Sequence, residues 1–400
     1  MINMNNIKPN CPVFRYMDID RCCGCEVCTN ACPVSALSMV ADNEGFVYPV
    51  LDENKCIGCE KCVKVCPMYN AVPKDNKLER FYVFSHSDNE ILVNSSSGGA
   101  FSFLYNEIKA KYQGAYVAGA AYSEDCKQIL HIVSNMQENF NRMRGSKYFQ
   151  STKGEIYDKV KRLLDGNEAV LFTGAPCEVD ALYRFLGKDY EKLWTMDYIC
   201  KGSSTPRMLK EYVEYLNKKM KSEATFLSMR YKWYGIDNFI PQFVKVNFKN
   251  GKSFLHEFYN TELGLCFKIV QRKNCPDCPY REKLHPADFT IGDYHEHNTD
   301  DPVFNHLGTS VVILNSEKGI SIWLEINKDS VKYREIQKDE VYRHNRNPAD
   351  TRNRLLRSNL QKYDGVTAVR NTIGLKEKIK MVLPVIPLRK ITAWRREHKR

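Results

Sequence analysis

The alternation of apolar and polar residues changes period several times along the chain, and each change marks an element. ALSMVADNEGFVYPVLDENK, from Ala36 to Lys55, alternates on either side of a polar centre and predicts a β-hairpin turning at Asn43 to Gly45. AVPKDNKLERF reads as a linker. In NSSSGGAFSFLYNEIKAKYQ, small residues precede Phe101, Leu104, Tyr105 and Ile108, the spacing of an amphipathic helix. Two strand–turn–helix units follow. EAVLFTGAPCEVDALYRFLG opens with a buried strand from Ala169 to Phe172. KLWTMDYICKGSSTPRMLKEYVEYLNKK opens with a strand ending at Cys200 and continues into a helix beginning near Pro206. Short all-apolar strands of this kind belong to sheets covered on both faces. Phe243–Phe248 and Ser253–Phe258 flank Asn250-Gly251, a strong hairpin signal. HLGTSVVILNSEKGISIWLEI adds one more strand and helix.

This order predicts an α+β module over residues 12–72, an α/β domain with a mixed sheet over 80–335, and a helical tail over 341–400. A chain of 400 residues is longer than one compact core usually holds, in keeping with this division. The net charge of +11 would suggest a nucleic-acid partner if it were spread over the body. It is not spread. Residues 341–400 carry 16 Lys and Arg against four Asp and Glu, so the rest of the chain is nearly neutral. Nucleic acid is therefore not expected as a partner. The basic tail, interrupted by Pro384 and Pro387 and carrying Trp394, is either solvated or set against an acidic protein or an anionic membrane surface. No apolar run approaches the roughly 18 residues of a membrane-spanning helix, and MINMNNIKPN lacks the character of a signal peptide. A cytoplasmic location is expected. In that compartment sixteen cysteines point to metal or redox chemistry, because thiols there stay reduced.

Twelve of those cysteines fall into ligand-like groups. RCCGCEVCTNACP contains C-x2-C-x2-C-x3-C-P as Cys22, Cys25, Cys28 and Cys32, and KCIGCEKCVKVCP repeats it as Cys56, Cys59, Cys62 and Cys66. This is the spacing of bacterial ferredoxins with two 4Fe-4S clusters, in which the fourth cysteine of each run serves the other cluster. Cys22, Cys25, Cys28 and Cys66 are thus expected at one cluster, and Cys56, Cys59, Cys62 and Cys32 at the second. Zinc knuckles also use CxxC, but zinc has no use for an exchanged fourth ligand followed by proline. Cys23 lies outside the repeat and reads as a bystander. Cys177 and Cys200 fall at the C-terminal ends of predicted strands, the edge where α/β sheets bind ligands. With Cys275 and Cys278 of NCPDCPY they form a four-thiol set suited to a third 4Fe-4S cluster or a structural zinc; the alternative for Cys177 and Cys200 is burial as small apolar residues. Cys11, Cys126 and Cys266 read as structural. The serines and glycines ahead of the Phe101 helix suit either a phosphate or a plain helix cap.

The succession SSSGGAFS, RGSKYFQS (Arg144–Ser151), GAPCEVDAL, DYICKG, CPDCPY and ADFTIGDY resembles the beta-subunit family of coenzyme F-420 hydrogenases and dehydrogenases, from the first cluster motif to about residue 300. The resemblance implies FAD beside an iron–sulfur cluster. It implies Ser97, Gly98 and Gly99 at the flavin phosphate, Ser146, Lys147 and Tyr148 as flavin contacts, and Cys177, Cys200, Cys275 and Cys278 as cluster ligands. Two departures bear on the acceptor. Tyr294-His295-Glu296-His297 stands where an aromatic-glycine pair is common, and Glu178 where an uncharged amide is common. His295 and His297 are candidate proton donors, and Arg230 and Lys232 could face an anion or lie on a solvated strand.

Together these readings predict an iron–sulfur flavoprotein oxidoreductase passing electrons between 4Fe-4S clusters, FAD and an organic acceptor or a redox partner protein. Two rivals are a non-catalytic electron-transfer subunit feeding a partner enzyme and a redox sensor or assembly factor without flavin. An enzyme is expected to open a pocket by Tyr294, His295 and Arg230.

Overall fold

The computed structural model describes residues 9–69, 71, 78–232, 242–281, 284–296, 298–342 and 350–383. Two short helices, α1 (Val27–Asn30) and α2 (Lys61–Lys64), follow the two cysteine loops. Between them β1 (Leu37–Ala41) and β2 (Val47–Leu51) form the expected antiparallel hairpin, with Ala41 opposite Val47.

The larger part is built on one eight-stranded sheet. In chain order its elements are β3 (Arg80–His86), α3 (Asn89–Val93), α4 (Ala100–Lys111), β4 (Tyr116–Tyr122), β5 (Ile129–Ser134), α5 (Gln137–Met143), α6 (Ile156–Asp165), β6 (Val170–Thr173), α7 (Pro176–Leu186) and β7 (Leu193–Tyr198). After an excursion described below come β11 (Phe289–Asp293), β12 (Ser310–Leu314), α10 (Glu317–Glu325), β13 (Val331–Ile336) and α11 (Lys338–Tyr342). The spatial order is β13-β3-β12-β11-β7-β6-β4-β5. The central four, β11, β7, β6 and β4, are parallel, and antiparallel strands extend the sheet on both sides. VLFT and SVVIL are almost wholly buried because helices cover both faces. Proline at the first turn of α7 sets the helical φ where no intrahelical donor is lost.

Between β7 and β11 the chain leaves this sheet. α8 (Pro206–Met220) leads to a separate three-stranded antiparallel sheet, β8 (Ala224–Tyr231), β9 (Phe243–Phe248) and β10 (Ser253–Glu257), followed by α9 (Glu262–Ile269). The Asn250-Gly251 hairpin forms as predicted, but in this second sheet and not in the main one.

The basic helical tail expected from residue 341 packs against the body over much of its length. Helices α12 (Asn353–Leu360) and α13 (Gly365–Thr372) bury Leu356, Leu360, Val366 and Val369 in one core with Met208, Leu209 and Tyr212 of α8 and Cys266 of α9. Their cations have anionic partners in the body. Arg357 pairs with Glu44 of the hairpin, and Arg370 with Glu262 at 2.6 Å. Helix α14 (Leu375–Val382) has no fully buried residue. Trp394 and both tail prolines lie outside the described residues. Among those residues no helix is long and apolar enough to cross a membrane.

Candidate functional site

The two cysteine loops have one backbone shape. Gly24 and Gly58 take φ of 68° and 67°, and Glu26 and Glu60 take 63° and 53°. These left-handed turns wind each loop around its three cysteines before the short helix begins. A cavity of about 60 Å³ is lined by Cys32, Cys56, Cys59 and Cys62 together, so Cys32 crosses to the second loop as its spacing predicts. In return Cys66 stands within electrostatic reach of Cys22 and Cys25. Burial pushes the Cys66 thiol up to about 12. A buried thiol set of this kind deprotonates readily only onto a cation such as cluster iron. Cys11 is buried between the loops, packed in one cluster with Cys28 and Cys62.

The module docks closely on the sheet domain. Arg272, 1% exposed, is the centre of that contact. Its guanidinium donates to the Cys22 carbonyl at 2.6 Å, to Gln150 Oε1 at 2.9 Å and to the Val47 carbonyl at 2.7 Å, and lies 4.3 Å from the Tyr48 ring centroid. Gln150 Nε2 donates to the Gly24 carbonyl at 2.6 Å, and Tyr157 donates to the Cys25 carbonyl at 2.9 Å. No sequence signal marked Arg272, and RGSKYFQS carried no separate role for Gln150.

Against this junction opens a cavity of about 420 Å³ at the C-terminal ends of β6, β7 and β11. Its volume falls in the range of small-molecule sites, and its position is where parallel sheets bind ligands. Cys177, at the start of α7, Cys200, just past β7, and Cys275 and Cys278 all line one end, as expected for a four-thiol set. Cys23 lines it too. Burial pushes the Cys278 thiol up to about 12. Among the described residues no three or more His, Cys, Asp or Glu side chains are gathered tightly enough for a single metal ion. Cys126 and Cys266 lie in the apolar core, as read from their isolation.

The other end is polar. Ser97, Gly99, Ser146, Lys147 and Tyr148 line it, so most of the predicted flavin contacts share this wall. Gly98 stands behind them, with its N–H on Ser310 Oγ at 2.8 Å. A Cβ there would lie 2.5 Å from the Phe84 carbonyl oxygen, so only glycine lets the loop approach the sheet so closely. The loops are laced by Ser146 N–H to Ser96 Oγ at 2.6 Å. Helix α4 points its first turn at the cavity. Two cavity-lining groups there, Ser102 Oγ and Arg144 Nε, have no hydrogen-bond partner among the described residues. A helix N-terminus with unpaired hydroxyl and guanidinium donors suits a phosphate. Lys147 turns its ammonium onto the carbonyls of Met143, Arg144 and Gly145 at 3.0–3.1 Å, and burial pushes its pKa down to about 7.

Arg230 and Lys232 are buried and not on a solvated strand face. Arg230 donates to Asp293 Oδ2 at 2.7 Å and to the Ser96 carbonyl at 2.8 Å; Lys232 donates to the carbonyls of Leu92 and Ser97. Both brace the serine loop. Burial alone would raise Asp293, but Arg230 holds its carboxyl below the usual range. His295 lines the cavity. Tyr294 is on the opposite side of the strand end, buried with its hydroxyl near Glu340 and Arg334, so the anticipated pocket forms without it. His297 lies outside the described residues. Glu178 serves Lys153: the two meet at 2.5 Å, with Lys153 fully buried and Glu178 also accepting from Ala175 N–H at 2.9 Å. A buried lysine opposite explains a charge where an amide would otherwise do.

Two repeated cysteine loops joined to a mixed α/β sheet with further thiols at its ligand-binding edge define an iron–sulfur protein of the electron-transferring oxidoreductase kind. The comparisons agree. Residues 21–70 and 48–117 match 4Fe-4S dicluster domains, and residues 167–339 match the C terminus of the coenzyme F420 hydrogenase/dehydrogenase beta subunit. The chain thus combines a region similar to the C terminus of the coenzyme F420 hydrogenase/dehydrogenase beta subunit with an N-terminal region similar to 4Fe-4S dicluster domains. A chain of the F420-reducing [NiFe] hydrogenase complex from Methanosarcina barkeri aligns over 75% of this chain and 94% of its own at 18% identity, with a TM-score of 0.43. No curated protein matches.

Proposed function

We propose that the chain is an iron–sulfur flavoprotein oxidoreductase. In this reading Cys22, Cys25, Cys28 and Cys66 hold one 4Fe-4S cluster, Cys32, Cys56, Cys59 and Cys62 a second, and Cys177, Cys200, Cys275 and Cys278 a third, with FAD in the polar end of the large cavity. When bound, clusters supply one-electron transfer and a flavin converts between single electrons and electron pairs. The observation that carries the reading is that the inner thiols and the serine–glycine loop line one and the same cavity. A cofactor on that loop would lie beside the thiols, as electron exchange requires.

The residues have separable tasks. The α4 N-terminus, Ser102 and Arg144 bind the phosphates. Arg230, fixed by Asp293 and Ser96, and Lys232 hold the loop at its depth. Tyr148 stacks on Phe267 at 4.4 Å between ring centroids, which fixes the cavity wall. His295 is assigned to deliver a proton to a reduced acceptor, whether small organic molecule or bound partner cofactor. Anaerobic purification with iron and flavin analysis tests the reading. About 12 iron atoms per chain and one FAD support it; about 8 iron atoms would remove the third cluster. Intact clusters with no flavin would refute the flavoprotein and leave an electron-transfer subunit.

A further inference from the structure

Helix α14 (Leu375–Val382) is fixed in rotation by the side it shares with the body. Arg352 Nη1 donates to Glu377 Oε1 at 3.1 Å, and Met381 packs against the core that holds α8, α9 and α13. Glu377 and Met381 are four residues apart and so share a side. Just past the helix, the Leu383 carbonyl oxygen lies 3.1 Å from His256 Nε2 of β10. Leu375, Ile379 and Val382 recur at i, i+4 and i+7 on the opposite side, and they are 74%, 47% and 79% exposed. Leu375 and Val382 are the two most exposed large apolar side chains among the described residues. By helical spacing Lys376 borders this stripe on one flank and Lys378 on the other, and both are exposed. A row of apolar side chains flanked by long cationic ones is the pattern of a helix lying in a membrane interface. There each lysine lays its methylene stem along acyl chains and lifts its ammonium to the headgroups.

We propose that this face of α14 seats the protein reversibly on an anionic membrane surface, with Leu375, Ile379 and Val382 among the acyl chains and the lysines at lipid phosphates. The inference is independent of the cluster and flavin assignments. Charge selects the class of lipid. Residues 376–400 carry nine Lys and Arg against two Glu, and Val385, Ile386, Leu388, Ile391 and Trp394 fall among the last cations, so the sequence beyond the helix continues the same combination. Two other occupants fit this face poorly. A second copy of it would set lysine against lysine. A stable protein interface buries about 800 Å² on each partner; an eight-residue helix presents far less, whereas a bilayer requires no matching shape.

The test mixes the full chain with sucrose-loaded vesicles of phosphatidylglycerol and phosphatidylcholine, or of phosphatidylcholine alone, and reads the bound fraction after sedimentation. The wild type should bind the anionic vesicles, come off in high salt and ignore the neutral ones. Leu375→Ser/Val382→Ser should weaken binding at least about tenfold. Lys376→Gln/Lys378→Gln should weaken it about fivefold per lysine. Leu324→Ser, at a side chain 67% exposed on α10, should change nothing. The substituted side chains are all exposed, so thermal melts and iron content should match the wild type. Equal binding to both vesicle types, or to neither, would overturn the inference. So would anionic binding that the serine variant leaves unchanged, because the charge beyond α14 would then suffice. Binding to soluble polyglutamate as tight as to vesicles would point to an acidic protein instead and overturn it. Serine-sensitive dimerisation in sedimentation velocity, without vesicle binding, would assign the face to a second copy. None of these outcomes alters the iron and flavin analysis that tests the proposed function.

Discussion

The Lys153–Glu178 pair makes the sharpest prediction about how the site is held together. Lys153 comes from the segment before α6 and Glu178 from the first turn of α7. Their atoms meet at 2.5 Å, and Lys153 also donates to the Ser151 carbonyl at 2.8 Å. Lys153 has no exposed side chain, and the little that Glu178 exposes faces the cavity. Removing one partner of such a pair strands a buried charge, at a cost of about 3–5 kcal/mol. The surroundings soften this: Glu26 lies close to Lys153, and His131 Nε2 is 3.9 Å from Glu178. Lys153→Met and Glu178→Gln should therefore each cost about 3 kcal/mol, near the low end. Glutamine keeps the helix cap to Ala175, so the second value reports charge and not capping. The double variant removes both charges and leaves Glu26 with its backbone donors, Lys153 N–H and Gly154 N–H at 3.1 Å. It should cost about 1 kcal/mol, which makes the coupling large. Urea unfolding of equally loaded chains, followed through Trp194 and Trp323 in the sheet core, measures all four species. Additive single costs, within about 0.5 kcal/mol, would refute the account of why glutamate stands at 178.

Two further outcomes follow from the cavity. Gly98→Ala forces a methyl to 2.5 Å from the Phe84 carbonyl oxygen and 2.7 Å from the Ser310 nitrogen, so the loop must move outward. It should cost about 1–3 kcal/mol in a thermal melt and lower flavin retention; unchanged retention would clear the loop of a binding role. The Asp293–Arg230 pair predicts a pH dependence. Because Arg230 holds the Asp293 carboxyl low against the pull of burial, the pair's stabilisation is complete above the ordinary carboxylate pKa of about 3.9 and is lost as pH falls through the lower folded value. Asp293→Asn should flatten the acid limb of stability against pH, and an unchanged limb would show that other carboxylates set it.

Sequence alone determined what depends on local spacing. The two cysteine runs, the hairpin at Asn43–Gly45, the Asn250-Gly251 turn, the buried strands, Cys177 and Cys200 at strand ends and the Cys275–Cys278 pair were all legible, because period, turn chemistry and ligand spacing act over a few residues. Tertiary structure decided the rest. The eight strands do not pair in chain order, and β8–β10 leave the main sheet although their pattern is that of any hairpin. Helices α12 and α13 looked like part of a basic tail because residues 341–400 as a whole carry 16 Lys and Arg against four Asp and Glu; only packing shows Leu356 and Val369 buried and Arg357 paired with Glu44, 313 residues away. Cys23 had no neighbour at ligand spacing to explain it, because the cavity it lines is shared with Cys177, far along the chain. Arg272 and Gln150 had no role legible in the sequence for the same reason: the groups they serve lie more than a hundred residues distant in the chain. Local periodicity sets which elements form, but a buried charge or thiol is given its role by whatever the fold brings opposite it.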